Sequence, residues 1–235
     1  TGNSWQSDIT IDNIRIKEPF CESQPLTTPQ QESFEAADLG IWTQNNDDHI
    51  NWSRRSNNTP SSSTGPSGAN DGNYYLYIES SSPNYPNKTA IITSECIQPV
   101  ATDALQFDYH MYGSSMGSLY VEVKTETSDW VELWSKSGNQ GNSWYMEAIS
   151  LSDYANQVIK LRFRGVTGNS WQSDITIDNI RIENDISRLV SKVDKSIIIQ
   201  KVVEENEENL IKQFEVYPNP FNDEFTVEFS EISDK

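Results

Sequence analysis

Apolar and polar residues alternate along much of the chain between residues 74 and 182. Leu119, Val121 and Val123 share one parity while Tyr120, Glu122 and Lys124 hold the other, and Ile159, Leu161 and Phe163 alternate in the same way with Lys160, Arg162 and Arg164. A period of two sends successive side chains to opposite faces of a strand, so each run predicts a strand with one buried and one wet face. The pattern predicts strands at Tyr74–Glu79, Thr89–Ser94, Ala104–Met111, Ser118–Glu126, Val131–Trp134, Tyr145–Leu151, Val158–Arg164 and Asp174–Ile182. Gly, Asn, Ser and Asp between these runs supply the turns. Such a series predicts an all-β fold, an antiparallel two-sheet sandwich of the jelly-roll kind.

The last run slips phase. Ile175 and Ile177 share a face, whereas Ile180 and Ile182 fall on the other parity. One extra residue near Asp178–Asn179 absorbs the shift, which predicts a β-bulge. Bulges re-aim side chains, so Asp178 is either a carboxylate held for a purpose or part of a plain edge irregularity.

Residues 1–16, TGNSWQSDITIDNIRI, recur letter for letter at 167–182. Identity over so long a run predicts tandem modules, with 1–17 as the closing strand of one unit and 18–183 as a complete second unit. From 184 to 212 the Trp, Tyr and Gly disappear and an acidic cluster spans Glu204–Glu208, the texture of a charged linker. Residues 213–235 open a further segment with an alternating strand at Glu224–Phe229, too short to hold a core of its own.

Composition sharpens this picture. Seven Trp and ten Tyr fit a folded β protein. A net charge of −18 over 235 residues excludes a phosphate-binding basic stripe, so nucleic acid is not an expected partner. The same acidity offers carboxylates to a hard cation, or is only a solvated surface. No apolar run approaches the roughly 18 residues that a membrane-spanning helix needs. Cys21 and Cys96 stand alone, outside any CxxC or His cluster. They read as a disulfide in an oxidising compartment, closing a loop of about 75 residues worth about 4 kcal/mol, or else as two free thiols.

Candidate chemistry is sparse. His49 and His110 lie in different settings, without an HExxH or GxSxG motif. Glu122 and Glu132 are strand carboxylates of the type a glycosidase would pair across a cleft, but nothing around them marks a raised-pKa acid. No catalytic residue is assigned, and the chain is not expected to be an enzyme. A structural cation, calcium by its oxygen preference, is the leading site expectation, with Glu35, Asp47, Asp48, Asp71 and Asp178 as candidate ligands. In a jelly roll the first and last strands often lie side by side, which would bring Glu35 near Asp178. Trp144 and Trp171 each close a Gly-Asn-Ser-Trp run and would either stack on a sugar or cap the sandwich, whereas Trp42 and Trp52 read as core.

Segment 33–182 resembles a MAM domain, the extracellular module of meprin, neuropilin and receptor phosphatase mu. The resemblance rests on Ser33-Phe34-Glu35, Trp42, Gln44, Asp47-Asp48, Trp52, Thr64-Gly65-Pro66, Asp71-Gly72 and Tyr74–Glu79, then on Phe107–Gly113, Leu133-Trp134, Gly141, Trp144 and Asp174–Ile180. MAM domains with a bound cation are known, so the resemblance also implies the calcium. Animal members typically carry four cysteines. This unit has two, and looks like a bacterial branch in which a Cys ahead of the first strand pairs with one after the third. Val216-Tyr217-Pro218-Asn219-Pro220-Phe221 resembles the opening of the C-terminal sorting domain of the type IX secretion system of Bacteroidetes, which implies that export machinery as a partner.

Together these readings lead to the expectation of a non-catalytic adhesion or protein-interaction module of a secreted or surface-exposed multidomain protein, meeting an extracellular protein or glycan. The alternative is a carbohydrate-binding or accessory module of a secreted hydrolase or peptidase whose catalytic part lies upstream.

Overall fold

The computed structural model describes residues 19–184, 214–218 and 225–229. The readings for 1–17, for the linker from 185 to 212 and for the Asn219-Pro220-Phe221 end of the export motif fall outside the described residues. Two units separate, Thr1–Asp185 and Ile186–Lys235.

Among the described residues, the first unit is built from thirteen strands in two sheets. In chain order these are β1 (Leu26–Thr27), β2 (Gln30–Glu32), β3 (Trp42–Gln44), β4 (Ser53–Ser56), β5 (Tyr74–Ile78), β6 (Thr89–Ser94), β7 (Ile97–Gln98), β8 (Asp103–Met111), β9 (Ser118–Thr125), β10 (Val131–Ser137), β11 (Tyr145–Ser150), β12 (Ile159–Val166) and β13 (Ile175–Asn184). In sheet A, β9 and then β10 lie on one side of β12, while β6 and β7 lie on the other and carry β3 and β1. Sheet B runs β11-β8-β13-β5-β4, with β2 also against β13. Every pairing is antiparallel except the short β1–β7 contact. The fold is an all-β sandwich, consistent with a jelly roll.

Alternation decides what is buried. Leu119, Val121 and Val123 of β9 and Ile159, Leu161 and Phe163 of β12 face Leu105, Phe107, Tyr109 and Met111 of β8 and the isoleucines of β13. Phe163 joins the layers, with its ring centroid 5.0 Å from Phe107 and 5.3 Å from Trp42. A register shift between Glu132 and Trp134 lets Trp134 reach Phe107 at 5.2 Å and donate its Nε1–H to Glu147 of β11 at 2.8 Å. That contact closes the flank between the two edge strands. A second register shift, between Asp178 and Arg181, keeps Ile180 and Ile182 in the core, and Asn179 takes φ +47° to accommodate it.

The outer faces differ. Every residue of β8 is buried, including the outward-pointing Gln106, Asp108 and His110. The centre of sheet B therefore lacks the wet face that the alternation predicts, because loops roof it, while its edge strands β11 and β4 stay partly open. Trp144 donates its Nε1–H to the Gly68 carbonyl at 3.1 Å, and Asn70 reaches down to Asp108. Sheet A keeps its outward residues half-open.

Cys21 and Cys96 form a disulfide, tying the 19–25 segment to the end of β6. In the second unit β14 (Phe214–Pro218) pairs antiparallel with β15 (Phe225–Phe229).

Candidate functional site

The bulge in β13 organises the densest polar cluster on sheet B. Asp178 is fully buried. Its Oδ2 accepts the main-chain N–H groups of Asn70 at 2.8 Å and Asp71 at 3.0 Å, and its Oδ1 accepts that of Asn179 at 2.7 Å. Directly across the strand pair stands Asp108, also buried, whose Oδ2 takes the side-chain amides of Asn70 and Asn179 at 2.8 and 3.2 Å. The same turn reaches Glu35, whose Oε1 accepts the N–H groups of Asn73 and Tyr74, both at 2.8 Å. These two bonds hold the Glu35 carboxyl below the usual range. Gly72 makes the approach feasible. Its φ is +61°, and a Cβ there would stand 2.5 Å from Glu35 Oε1.

One turn thus bonds both Glu35 and Asp178 through its main-chain N–H groups. Like charges in direct cross-strand register repel, and neither Asp108 nor Asp178 is ion-paired with a Lys or Arg among the described residues. A carboxylate offers about four lone-pair sites, so Glu35 and Asp178 keep acceptor capacity beyond their N–H bonds. An all-oxygen donor set beside unbalanced negative charge fits a hard cation, provided that amide and main-chain oxygens complete its shell. Carboxylates alone do not form a cage: no three His, Cys, Asp or Glu side chains among the described residues come close enough to share an ion.

Asp47 and Asp48 lie elsewhere. Asp48 accepts the Ile91 N–H at 2.6 Å, while Asn45 N–H and His49 N–H bond the carbonyls of Ile91 and Thr89. A side chain here replaces the strand partner that β6 lacks once β3 has ended. Burial raises the Asp48 carboxyl. Trp144 packs edge-on against Tyr75 at 5.9 Å and against His110 at 5.5 Å, so its ring helps to roof sheet B. His110 is buried with Nε2 at 3.0 Å from Asn142 Oδ1, and burial lowers its pKa. Trp171 is 38% exposed. Glu122 and Glu132 are cross-strand neighbours, but they differ in setting. Burial works to raise the Glu122 pKa, yet the guanidiniums of Arg164 and Arg162, at 3.0 and 2.6 Å, outweigh it and hold the carboxyl below the usual value.

Asp174 is the second buried acid of β13's approach. Ser80 donates its N–H and hydroxyl to Oδ1 at 3.0 and 2.8 Å, and Oδ2 is buried without a partner. Burial pushes the Asp174 carboxyl up to about 6 and that of Asp178 up to about 7. Both exceed the ordinary Asp value of about 3.9, so the folded chain binds these protons more tightly than the unfolded chain does. Their stabilising contribution is complete below about pH 4 and is lost as the pH climbs through 6 to 7. The melting temperature in metal-free buffer is expected to fall between pH 5 and pH 8, and Asp174→Asn to flatten that slope. Calorimetry across the interval checks this, and a rising melting temperature would contradict it.

Sheet A carries an open groove of about 1000 Å³. Its floor is the outward residues Thr43, Thr93, Lys124 and Lys160 on four neighbouring strands. One wall is the 19–23 segment held by the disulfide; the other is the β9–β10 turn ending in Trp130. Both wall aromatics are braced by cations: the Arg162 guanidinium stands 4.2 Å from the Trp130 ring centre, and Lys160 Nζ lies 5.7 Å from that of Phe20.

The family described as MAM domain, meprin/A5/mu matches residues 33–186. The chain belongs to the MAM family. It is similar to MAM domain-containing protein 2 of Homo sapiens, 33% identical over 180 residues, or 74% of this chain and 26% of that protein. MAM domain-containing glycosylphosphatidylinositol anchor protein 2 of Homo sapiens is 32% identical over 196 residues, 75% of this chain and 20% of that one. The chain thus spans about a quarter or less of the length of these curated relatives. A cleaved adhesin domain of Lys-gingipain from Porphyromonas gingivalis superposes at TM-score 0.50 and 13% identity, covering 67% of this chain and 99% of that one, which bears on the fold alone.

Within this MAM domain, reading the sequence missed the groove. Phe20 and Trp130 carry no local motif, and only the register of β9, β12 and β6 makes them face one concavity. The one available signal was the run of outward lysines and threonines on alternating strands. Among the described residues no helix is long and apolar enough to cross a membrane.

Proposed function

We propose that the chain is a non-catalytic recognition module that works outside the cell, one of at least two consecutive MAM units in a longer bacterial polypeptide. The observation that carries this reading is the contrast between the two faces of a MAM sandwich, one roofed by loops and the other left open as a large polar groove. Such an open face gives a partner a surface to lie against. The disulfide supports an oxidising, extracytoplasmic setting. The repeat of residues 1–16 at 167–182 supports the tandem arrangement, in which two units would add avidity. The Val216–Phe221 motif supports export by a type IX secretion system and a place in the secreted or surface fraction. Adhesion assays test the reading: beads coated with the chain should be retained saturably by a surface displaying an extracellular protein or glycan, which mass spectrometry then finds unaltered. Conversion of the displayed partner would overturn it.

Calcium belongs to the same reading as a structural ion beside the 70–74 turn, taking a carboxylate oxygen from Glu35 or Asp178 and filling the rest of its shell with amide and main-chain oxygens. Its role is to offset the facing acids and tie the 70–74 turn to the sandwich. Saturating calcium on chelator-stripped protein is expected to raise the melting temperature by roughly 5–10 °C. A stripped protein indifferent to millimolar calcium would remove the ion.

A further inference from the structure

We infer that the groove on sheet A binds a neutral oligosaccharide, with the rings of Trp130 and Phe20 contacting sugar faces from the two walls and Thr43, Asn45, Thr93 and Lys160 bonding hydroxyls from the floor. The inference rests on the recognition reading above and names its ligand class.

Lining chemistry comes first. Hydroxyl, amide and ammonium groups supply donors and acceptors together, which is what a ring of sugar hydroxyls requires. No Leu, Ile, Val or Met lines the groove among the described residues, so an amphipathic peptide would find no pocket for its anchors. Aromatic rings flanking a polar floor instead fit a ligand with alternating C–H faces and hydroxyl edges.

Rigidity is the second observation. Thr43, Thr93 and Lys160 sit on strands, and the Phe20 wall is clipped to the floor through Cys21–Cys96. Arg162, itself bonded to Glu122, braces Trp130. A site already ordered before binding loses less entropy when the ligand arrives.

Charge and size decide the rest. Lys124 and Lys160 are outnumbered in the lining by Glu22, Glu95, Glu126 and Asp129, and the chain as a whole carries −18. Such a field repels sulfated and uronate-rich chains, which selects an uncharged glycan. A volume of about 1000 Å³ stands at the upper end of ordinary ligand pockets, so the groove accepts several sugar units rather than one.

The test uses the whole chain on an array of neutral and acidic oligosaccharides, then calorimetry with cellohexaose, xylohexaose and mannohexaose. Retention of at least one neutral class is expected, with affinity reduced about tenfold or more by Trp130→Ala. Thr43→Trp, at an exposed strand position on the groove floor, should block binding while leaving the melting temperature in place. Trp171→Ala, outside the groove lining, should leave the affinity unchanged. Binding confined to acidic glycans, or neutral binding untouched by both Trp130→Ala and Thr43→Trp, overturns the inference. Bead retention by a protein partner with no glycan signal also overturns it while sparing the recognition reading; failure of both assays removes the two together.

Discussion

Asp178→Ala is expected to destabilise the sandwich by about 3 kcal/mol, read as a lower denaturation midpoint at unchanged m-value. Three main-chain N–H groups lose their acceptor at once, those of Asn70, Asp71 and Asn179. An unsatisfied buried donor costs about 1–3 kcal/mol, so the gross loss exceeds the net figure. The offset is the removal of a carboxylate that burial penalises, the same penalty that lifts its pKa to about 7. Asp178→Asn keeps one acceptor oxygen but points an amide donor at other donors, so it should fall between the wild type and the Ala variant. Hydrogen exchange should localise the damage, with the Asn70 and Asp71 amides losing protection before the core strands do. In stripped protein the penalty persists, which separates lost anchoring from lost calcium. A change below about 0.5 kcal/mol would show that the turn is held by other contacts.

Replacing both cysteines with serine should cost about 4 kcal/mol on the chain-entropy account, since the bond closes a loop with a sequence separation of 75. For a unit of this size that corresponds to a melting temperature lower by roughly 10 °C. Little else holds the segment it anchors. β1 meets β7 through only Leu26↔Ile97 and Thr27↔Gln98, in a parallel pairing with few hydrogen bonds. Reducing the native chain with dithiothreitol should therefore loosen the Phe20 wall as well as lower global stability. Proteolysis after reduction should cut first between residues 19 and 25. An unmoved midpoint in the double variant would mean that the unfolded chain gains no freedom from losing the bond.

The strands that alternation predicts are those whose inner faces are apolar enough to be recognised locally. β5, β6 and β8 to β13 fall in the predicted runs, most plainly β8, β9 and β12, where large apolar residues recur at every second position. β2 and β4 escaped notice, since Gln30–Glu32 and Ser53–Ser56 are polar throughout. They are strands only because β13 and β5 offer them backbone partners. Likewise Asp178 stood out by the phase slip around it, whereas its partner Asp108 sits in an unbroken alternation and looked like an ordinary wet position.

Local order in the chain determined the sandwich, the bulge in β13, the pairing candidates for the disulfide and the family, because each depends on residue spacing within one strand or on motifs read in sequence. Tertiary structure alone decided that the centre of sheet B is roofed and sheet A open, that one turn bonds Glu35 and Asp178 while Asp48 serves β6, and that Phe20 and Trp130 flank one groove. Periodicity reports which face of a strand a side chain takes. It carries no information on which distant loop comes to lie over that face, and that is what leaves one face of this sandwich open and the centre of the other covered.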